Sequence, residues 1–130
     1  MSRNSLIGTL ILTVDDNADS REITGFALEQ AGAEVISVAS GAEVLNVLSI
    51  TSPNLLISDL GMPDMDGYSL MQRIRRLPKG RSLPAIALTA YACEAKSEQI
   101  AAAGFRCCLN KPVSPDDLIT AVEKVLGKRR

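Results

Sequence analysis

Apolar residues along this chain gather into short runs, and the stretches between the runs carry helical spacing. The runs are Leu6 to Val14, Glu34 to Ala39, Leu55 to Ser58, Ala85 to Thr89 and Phe105 to Leu109, each apolar or β-branched and each read as a strand. In the first intervening stretch Ile23, Phe26, Ala27 and Gln30 follow the i, i+3, i+4, i+7 rule, and Gly32 supplies a stop. The second helix opens at Ser40, with Glu43 three residues on as a capping box, and ends before Pro53. A third runs from about Gly67 to Arg76 with Leu70 and Ile74 inward, and Pro78 follows it. The fourth spans about Cys93 to Ala103 and stops at Gly104. In the fifth, Ser114 caps, Pro115 takes the first helical position, Asp116 and Asp117 fill the first turn, and Leu118, Val122 and Val125 point inward. Strands alternating with helices predict an α/β, doubly wound fold around a five-stranded parallel sheet with five helices. No linker, repeat or low-complexity segment interrupts the alternation.

The polar residues at the strand ends are the candidate chemistry. Asp15 and Asp16 directly follow the first run, and Asp59 directly follows the third. Parallel strands open their carboxyl ends onto a shared crevice, so the three acids are expected to meet there. Like charges about 4 Å apart repel by roughly 4 kcal/mol per pair at an effective dielectric of about 20. Such a cluster calls for a cation or a raised pKa, and a hard, oxygen-preferring ion such as Mg²⁺ fits. Thr89 closes the fourth run, and Lys111 follows the fifth and precedes Pro112. The crevice would then hold three acids, one hydroxyl and one ammonium. One aspartate would serve as nucleophile, the other acids as metal ligands, and Lys111 and Thr89 as partners of a transferred phosphoryl group. The first turn, Asp15-Asp16-Asn17-Ala18-Asp19-Ser20, is anionic and lacks glycine, which argues against backbone cradling of a nucleotide or flavin phosphate. Singly, Asp15 and Asp16 read as helix caps, Asp59 as a turn former before Gly61 and Pro63, Thr89 as a strand-end cap and Lys111 as a surface lysine. Their conjunction at successive strand ends is much harder to reach by accident.

Composition narrows the field further. At 130 residues the chain suits one compact domain. Lys and Arg number 14 against 15 Asp and Glu, so bulk charge gives no case for direct nucleic-acid or anionic-membrane binding. The basic end, Lys128-Arg129-Arg130, reads as a solvated helix terminus. No apolar stretch approaches the roughly 20 residues of a membrane span, and residues 1–20 lack a secretory signal, so a cytoplasmic location is expected. Cys107 and Cys108 are neighbours on one strand and poorly placed to bridge each other, Cys93 lies in a helical segment, and all three are expected as free thiols. Histidine is absent, which excludes triads, most zinc sites and a phosphohistidine donor within the chain.

The segments Leu12-Thr13-Val14-Asp15-Asp16-Asn17, Ser58-Asp59-Leu60-Gly61-Met62-Pro63-Asp64-Met65-Asp66-Gly67, Ala87-Leu88-Thr89-Ala90 and Asn110-Lys111-Pro112 together resemble the motif set of response-regulator receiver domains in two-component signalling. The resemblance covers about Thr9 to Leu126, and four motifs stand in the family's order and spacing. It implies one receiver domain over 1–130 with a core at about 9–126, and a flavodoxin-like sheet of order 2-1-3-4-5. Asp59 would be the phosphoacceptor, Asp16 a direct Mg²⁺ ligand, Asp15 a ligand mainly through water, and the main-chain carbonyl of Gly61 a further ligand, with Mn²⁺ able to substitute. Lys111 would pair with the phosphoryl group and Thr89 would move to meet it. The Lys111-Pro112 peptide would be cis. The implied donor is a histidine kinase or histidine phosphotransfer protein, and the implied output face is built from the fourth helix, fifth strand and fifth helix.

The chain also departs from the family. Receivers usually carry Phe, Tyr or His three positions before the strand-five lysine, where this chain has Cys108. Phe105, three residues earlier, is expected on the opposite strand face by simple alternation. Gly61 and Tyr91 occupy positions that tune phosphoryl lifetime in the family. Two rivals stand beside the receiver reading: a Mg²⁺-dependent aspartyl-phosphate phosphatase or phosphotransferase, and a pseudo-receiver used only for binding. The first would usually carry a second aspartate two positions after the nucleophile, where this chain has Gly61; the second predicts loss of an essential site residue, and none is lost.

Overall fold

The computed structural model describes residues 4–91 and 93–127. Strands β1 (Leu10–Val14), β2 (Glu34–Val38), β3 (Leu55–Asp59), β4 (Ala85–Thr89) and β5 (Cys107–Asn110) alternate with helices α1 (Ala18–Gln30), α2 (Gly41–Ile50), α3 (Gly67–Ile74), α4 (Ser97–Ala103) and α5 (Pro115–Leu126). All four pairings are parallel, and the order is β2-β1-β3-β4-β5, as the resemblance implied. Because helices cover both faces, every residue of β3 and β4 is buried, which is why those strands read as continuous apolar runs rather than alternating ones. On one face Leu12, Leu56, Ala85 and Ala87 pack with Leu70, Met71 and Ile74 of α3 and Ile100 of α4. On the other Ile11, Leu55, Ile57 and Ile86 pack with Ala27 and Leu28 of α1 and Leu118, Ile119 and Val122 of α5.

The helix starts follow their capping residues. Ser40 and Glu43 form a reciprocal capping box, Asp66 accepts from the Ser69 N–H, and Ser114 accepts from the Asp117 N–H ahead of Pro115. Gly104 ends α4 at φ 107°, a left-handed conformation that disfavours any side chain. Arg75, just past α3, donates to the carbonyls of Gly80 (2.6 Å), Leu83 (2.9 Å) and Gly104 (2.9 Å), fastening the approaches to β4 and β5 to α3.

Several expectations change. β1 begins at Leu10, not Leu6: residues 4–8 are turns, with Gly8 at φ 83°, although Leu6 is fully buried. Of the row read along α1 only Ala27 is buried: Ile23 and Phe26 are 62% and 64% exposed and Gln30 is exposed, while Thr24, Gly25 and Leu28 are buried beside Ala27. A second row, Thr24, Ala27, Leu28 and Ala31, satisfies the same spacing rule and is the buried one, on the side where the helix lies close on β2 and Gly25 approaches Ser37 and Val35. The third helix stops at Ile74, followed by a 3-10 turn, Pro78–Gly80; Cys93–Lys96 is likewise a 3-10 turn that precedes α4. Phe105 and Cys108 share one face, packing on the α3–α4 side, because Phe105 precedes β5 and strand alternation does not reach it. The basic tail at 128–130 lies outside the described residues.

Candidate functional site

Register brings the acids together. Val14 pairs with Ser58, so the next residue on each strand, Asp15 and Asp59, emerge side by side at the carboxyl edge. Asp15 and Asp59 are buried and Asp16 is exposed, and one carboxylate oxygen from each lies within 4.8 Å of the others. The chain leaves β1 with the Asp15 N–H donating to the Val38 carbonyl (3.2 Å), and Asn17 then caps α1 by accepting from the Ser20 N–H (2.8 Å). That tight exit holds both acids of the pair over the end of the sheet.

Asp15 is the most heavily tied group in the cleft. Its Oδ1 accepts from the Asn17 N–H (3.0 Å), and its Oδ2 accepts from Ser20 Oγ (2.6 Å) and Lys111 Nζ (2.7 Å). Burial by itself would raise the Asp15 pKa, but the Lys111, Ser20 and Asn17 bonds outweigh it and hold the carboxyl below its ordinary value. Lys111 also stands 3.5 Å from Asp59 Oδ2, and the Gly61 N–H donates to Asp59 Oδ1 at 3.2 Å. Arg21 Nη1 donates to the Asp15 carbonyl (2.7 Å), bracing the exit of β1. Ser20 and Arg21 were not anticipated from the sequence. The Asn17 cap was the available signal, because a residue three places past an N-cap turns back toward the preceding strand end.

The donor set fits a small hard cation. Three carboxylates face one ammonium, which leaves two negative charges uncompensated, and every candidate ligand is oxygen, as Mg²⁺ requires.

At the neighbouring strand ends Thr89 is buried, and its Oγ1 accepts from the Tyr91 N–H (3.1 Å). The Lys111 N–H donates to the Thr89 carbonyl (2.7 Å), and the Lys111-Pro112 peptide is cis, as anticipated. Lys96 Nζ lies 5.4 Å from the centroid of the exposed Tyr91 ring, a surface cation–π contact. All six predicted site residues therefore lie at the carboxyl edge of the sheet: Asp15, Asp16, Asp59 and Lys111 in the cleft itself, with Thr89 at the end of β4 and Gly61 on the loop after β3 bordering it.

The expectation of three free thiols is wrong. Cys93 and Cys108 form a disulfide, with Cα atoms 6.0 Å apart, and only Cys107 keeps its thiol among the described residues. The pairing joins residues 15 apart, which no consideration of adjacent cysteines reaches. Parallel pairing of β4 with β5 brings them together, since Cys93 begins the turn just past the end of β4 and Cys108 lies across from Ala87.

The strand order places the chain in the flavodoxin-like class of α/β folds, with the acid cluster at the β1/β3 ends, where such folds bind their ligands. Residues 11–123 match the family model described as the response regulator receiver domain, and the chain belongs to that family of two-component signalling modules. Among curated relatives, a 14.6 kDa protein in the sodA1 3' region of Leptolyngbya boryana is 47% identical over 88% of this chain and 87% of its own length. Sensor histidine kinase RcsC of Salmonella typhi is 38% identical over 84% of this chain, which spans only 11% of that kinase. Among solved structures, chemotaxis response regulator CheY4 of Vibrio cholerae superposes with a TM-score of 0.85 at 29% identity, covering 90% of this chain and 98% of its own. The receiver domain of sensor histidine kinase PA1611 from Pseudomonas aeruginosa PAO1, solved with a magnesium ion coordinated in its active-site cleft, gives 0.84 at 31% identity over 92% and 98%. No helix among the described residues is long and apolar enough to cross a membrane.

Proposed function

We propose that Asp59 accepts a phosphoryl group from a phosphohistidine on a histidine kinase or histidine phosphotransfer protein, and that residues 1–130 act as one receiver unit with its core at about 9–126. The observation that carries this reading is the meeting of Asp15, Asp16 and Asp59 beside Lys111 at the β1/β3 edge. An Asp59 carboxylate oxygen attacks the phosphorus; the new P–O bond forms as the P–N bond breaks, and the departing imidazole nitrogen keeps the electron pair. Lys111, already between Asp15 and Asp59, meets the negative phosphoryl oxygens, and Thr89 turns from Tyr91 to donate its hydroxyl to one of them.

Asp16, Asp15, Asp59 and the Gly61 carbonyl are the residues that would hold Mg²⁺, with Mn²⁺ as a substitute. When bound, the ion neutralises charge on the phosphoryl oxygens during transfer and during later hydrolysis. The chain promotes its own phosphorylation and dephosphorylation and turns over no separate substrate. Near-neutral charge favours a protein partner over nucleic acid or membrane, and we assign the α4–β5–α5 face to output and the cytoplasm as the setting.

The test is intact-mass measurement after mixing the protein with Mg²⁺ and a small acyl phosphate. One phosphoryl adduct is expected, lost in Asp59→Asn and on chelation of the metal. An adduct persisting in Asp59→Asn would overturn the assignment.

A further inference from the structure

The Cys93–Cys108 bond ties the connection that follows Thr89 to β5, and both cysteines are half-buried, with Cys108 packed against the core. Thr89 pairs across with Asn110, and its carbonyl accepts from the Lys111 N–H. Four residues on, the Cys93 N–H donates to Asn110 Oδ1 (2.9 Å), and its sulfur is bonded to Cys108. The chain leaving β4 is thus fastened to β5 at both ends, and between them the Tyr91 N–H holds the Thr89 hydroxyl. Opening the disulfide would remove the covalent fastening while the β4–β5 ladder and the Asn110 bond remain, so the strands have what they need to stay paired.

We propose that Cys93 and Cys108 are a reversible redox site that gates coupling: as the disulfide they hold the β4–α4 connection against movement of Thr89, and as two thiols they release it. The inference rests on phosphorylation at Asp59 only for the coupling it gates. The reductant is a dithiol, either a small molecule or a protein with a paired-cysteine site. One of its thiolates attacks Sγ of Cys93 or Cys108 to give a mixed disulfide, and the displaced sulfur leaves as thiolate and takes a proton. The second thiol of the reductant, as thiolate, then displaces the remaining cysteine. Two electrons and two protons pass to the chain, and the reductant becomes a disulfide. Disulfide exchange with an oxidised partner runs the same steps backward.

Alkylation and intact mass on the native full chain should give one free thiol before dithiothreitol treatment and three after it. Hydrogen exchange over Cys93–Lys96 should then run at least about tenfold faster in the reduced protein, with no phosphodonor present. On adding Mg²⁺ and acyl phosphate, both forms should gain the adduct, and only the reduced form should change exchange in that segment. Cys108→Ser should behave as reduced under all conditions, and Cys107→Ser as wild type. Equal exchange in the two redox forms, or a disulfide that resists dithiothreitol in the folded protein, would overturn the proposal. An adduct absent from both forms would instead remove the Asp59 reading, while the exchange measured without phosphodonor would still decide whether the redox site controls the loop.

Discussion

The cleft at the β1 and β3 ends and the connection between β4 and β5 are built on opposite plans. In the cleft, function depends on side chains held by many non-covalent, charge-assisted contacts: the Asp15 carboxylate alone accepts three hydrogen bonds, and Lys111 bridges it to Asp59. At the β4–β5 connection, position is set by a covalent link and a hydrogen bond from the Cys93 N–H to Asn110 Oδ1, preceded by the Thr89 hydroxyl that accepts from the Tyr91 N–H. The first arrangement tolerates an arriving charge by rearranging partners. In the second, the redox proposal makes movement depend on opening the covalent fastening, which would separate acceptance of a phosphoryl group from the response to it.

The largest expected difference between the two regions is in stability. Reducing Cys93–Cys108 frees a crosslink spanning 15 residues and should cost about 3 kcal/mol in the chain-entropy picture. Guanidinium denaturation with and without dithiothreitol measures it, and Mg²⁺ affinity at the cleft should stay the same. Arg75→Met should come next, at about 2 kcal/mol, because it leaves the carbonyls of Gly80, Leu83 and Gly104 without a charged donor. It should loosen the approaches to β4 and β5 and leave the acid cluster in place. Asp16→Asn works in the other direction: roughly tenfold weaker Mg²⁺ binding by titration calorimetry, with an unchanged denaturation midpoint in the absence of metal.

The smallest effect is on acid stability. Asp15 is held below its ordinary value of 3.8, so its contacts stabilise the fold fully above that pH and are lost as pH falls through the lowered folded value. Lys111→Met removes the strongest of the bonds that lower it, so the acid unfolding midpoint followed by circular dichroism should move up. A midpoint unmoved by the substitution would mean that Ser20 and Asn17 suffice to hold the carboxylate.

The two regions also differed in how far they could be read from residues alone. Strand ends announce themselves, because an apolar run that stops at a polar residue marks the edge of a sheet; Asp15, Asp59, Thr89 and Lys111 were placed that way, and strand order came from the family resemblance. The caps at Ser40, Asp66 and Ser114 are local chemistry, and the first and last were legible for that reason. What failed required knowing which parts touch. Ile23 and Thr24 each begin a row of the same helical spacing through Ala27, and only the closeness of α1 to β2 at Gly25 decides which faces the sheet. Cys93 and Cys108 meet through the parallel pairing of β4 with β5, and Phe105 keeps company with Cys108 because the strand begins after it. Ser20 and Arg21 are drawn to Asp15 by the tight turn into α1, a tertiary consequence of the Asn17 cap.

The central claim is that a carboxylate at the end of β3 takes the phosphoryl group. Borohydride reduction of the acyl-phosphate adduct converts the acceptor aspartate to homoserine, which peptide sequencing by tandem mass spectrometry reads directly. Homoserine at position 59, and at no other aspartate, is the predicted result; homoserine at 15 or 16 with position 59 intact would contradict it.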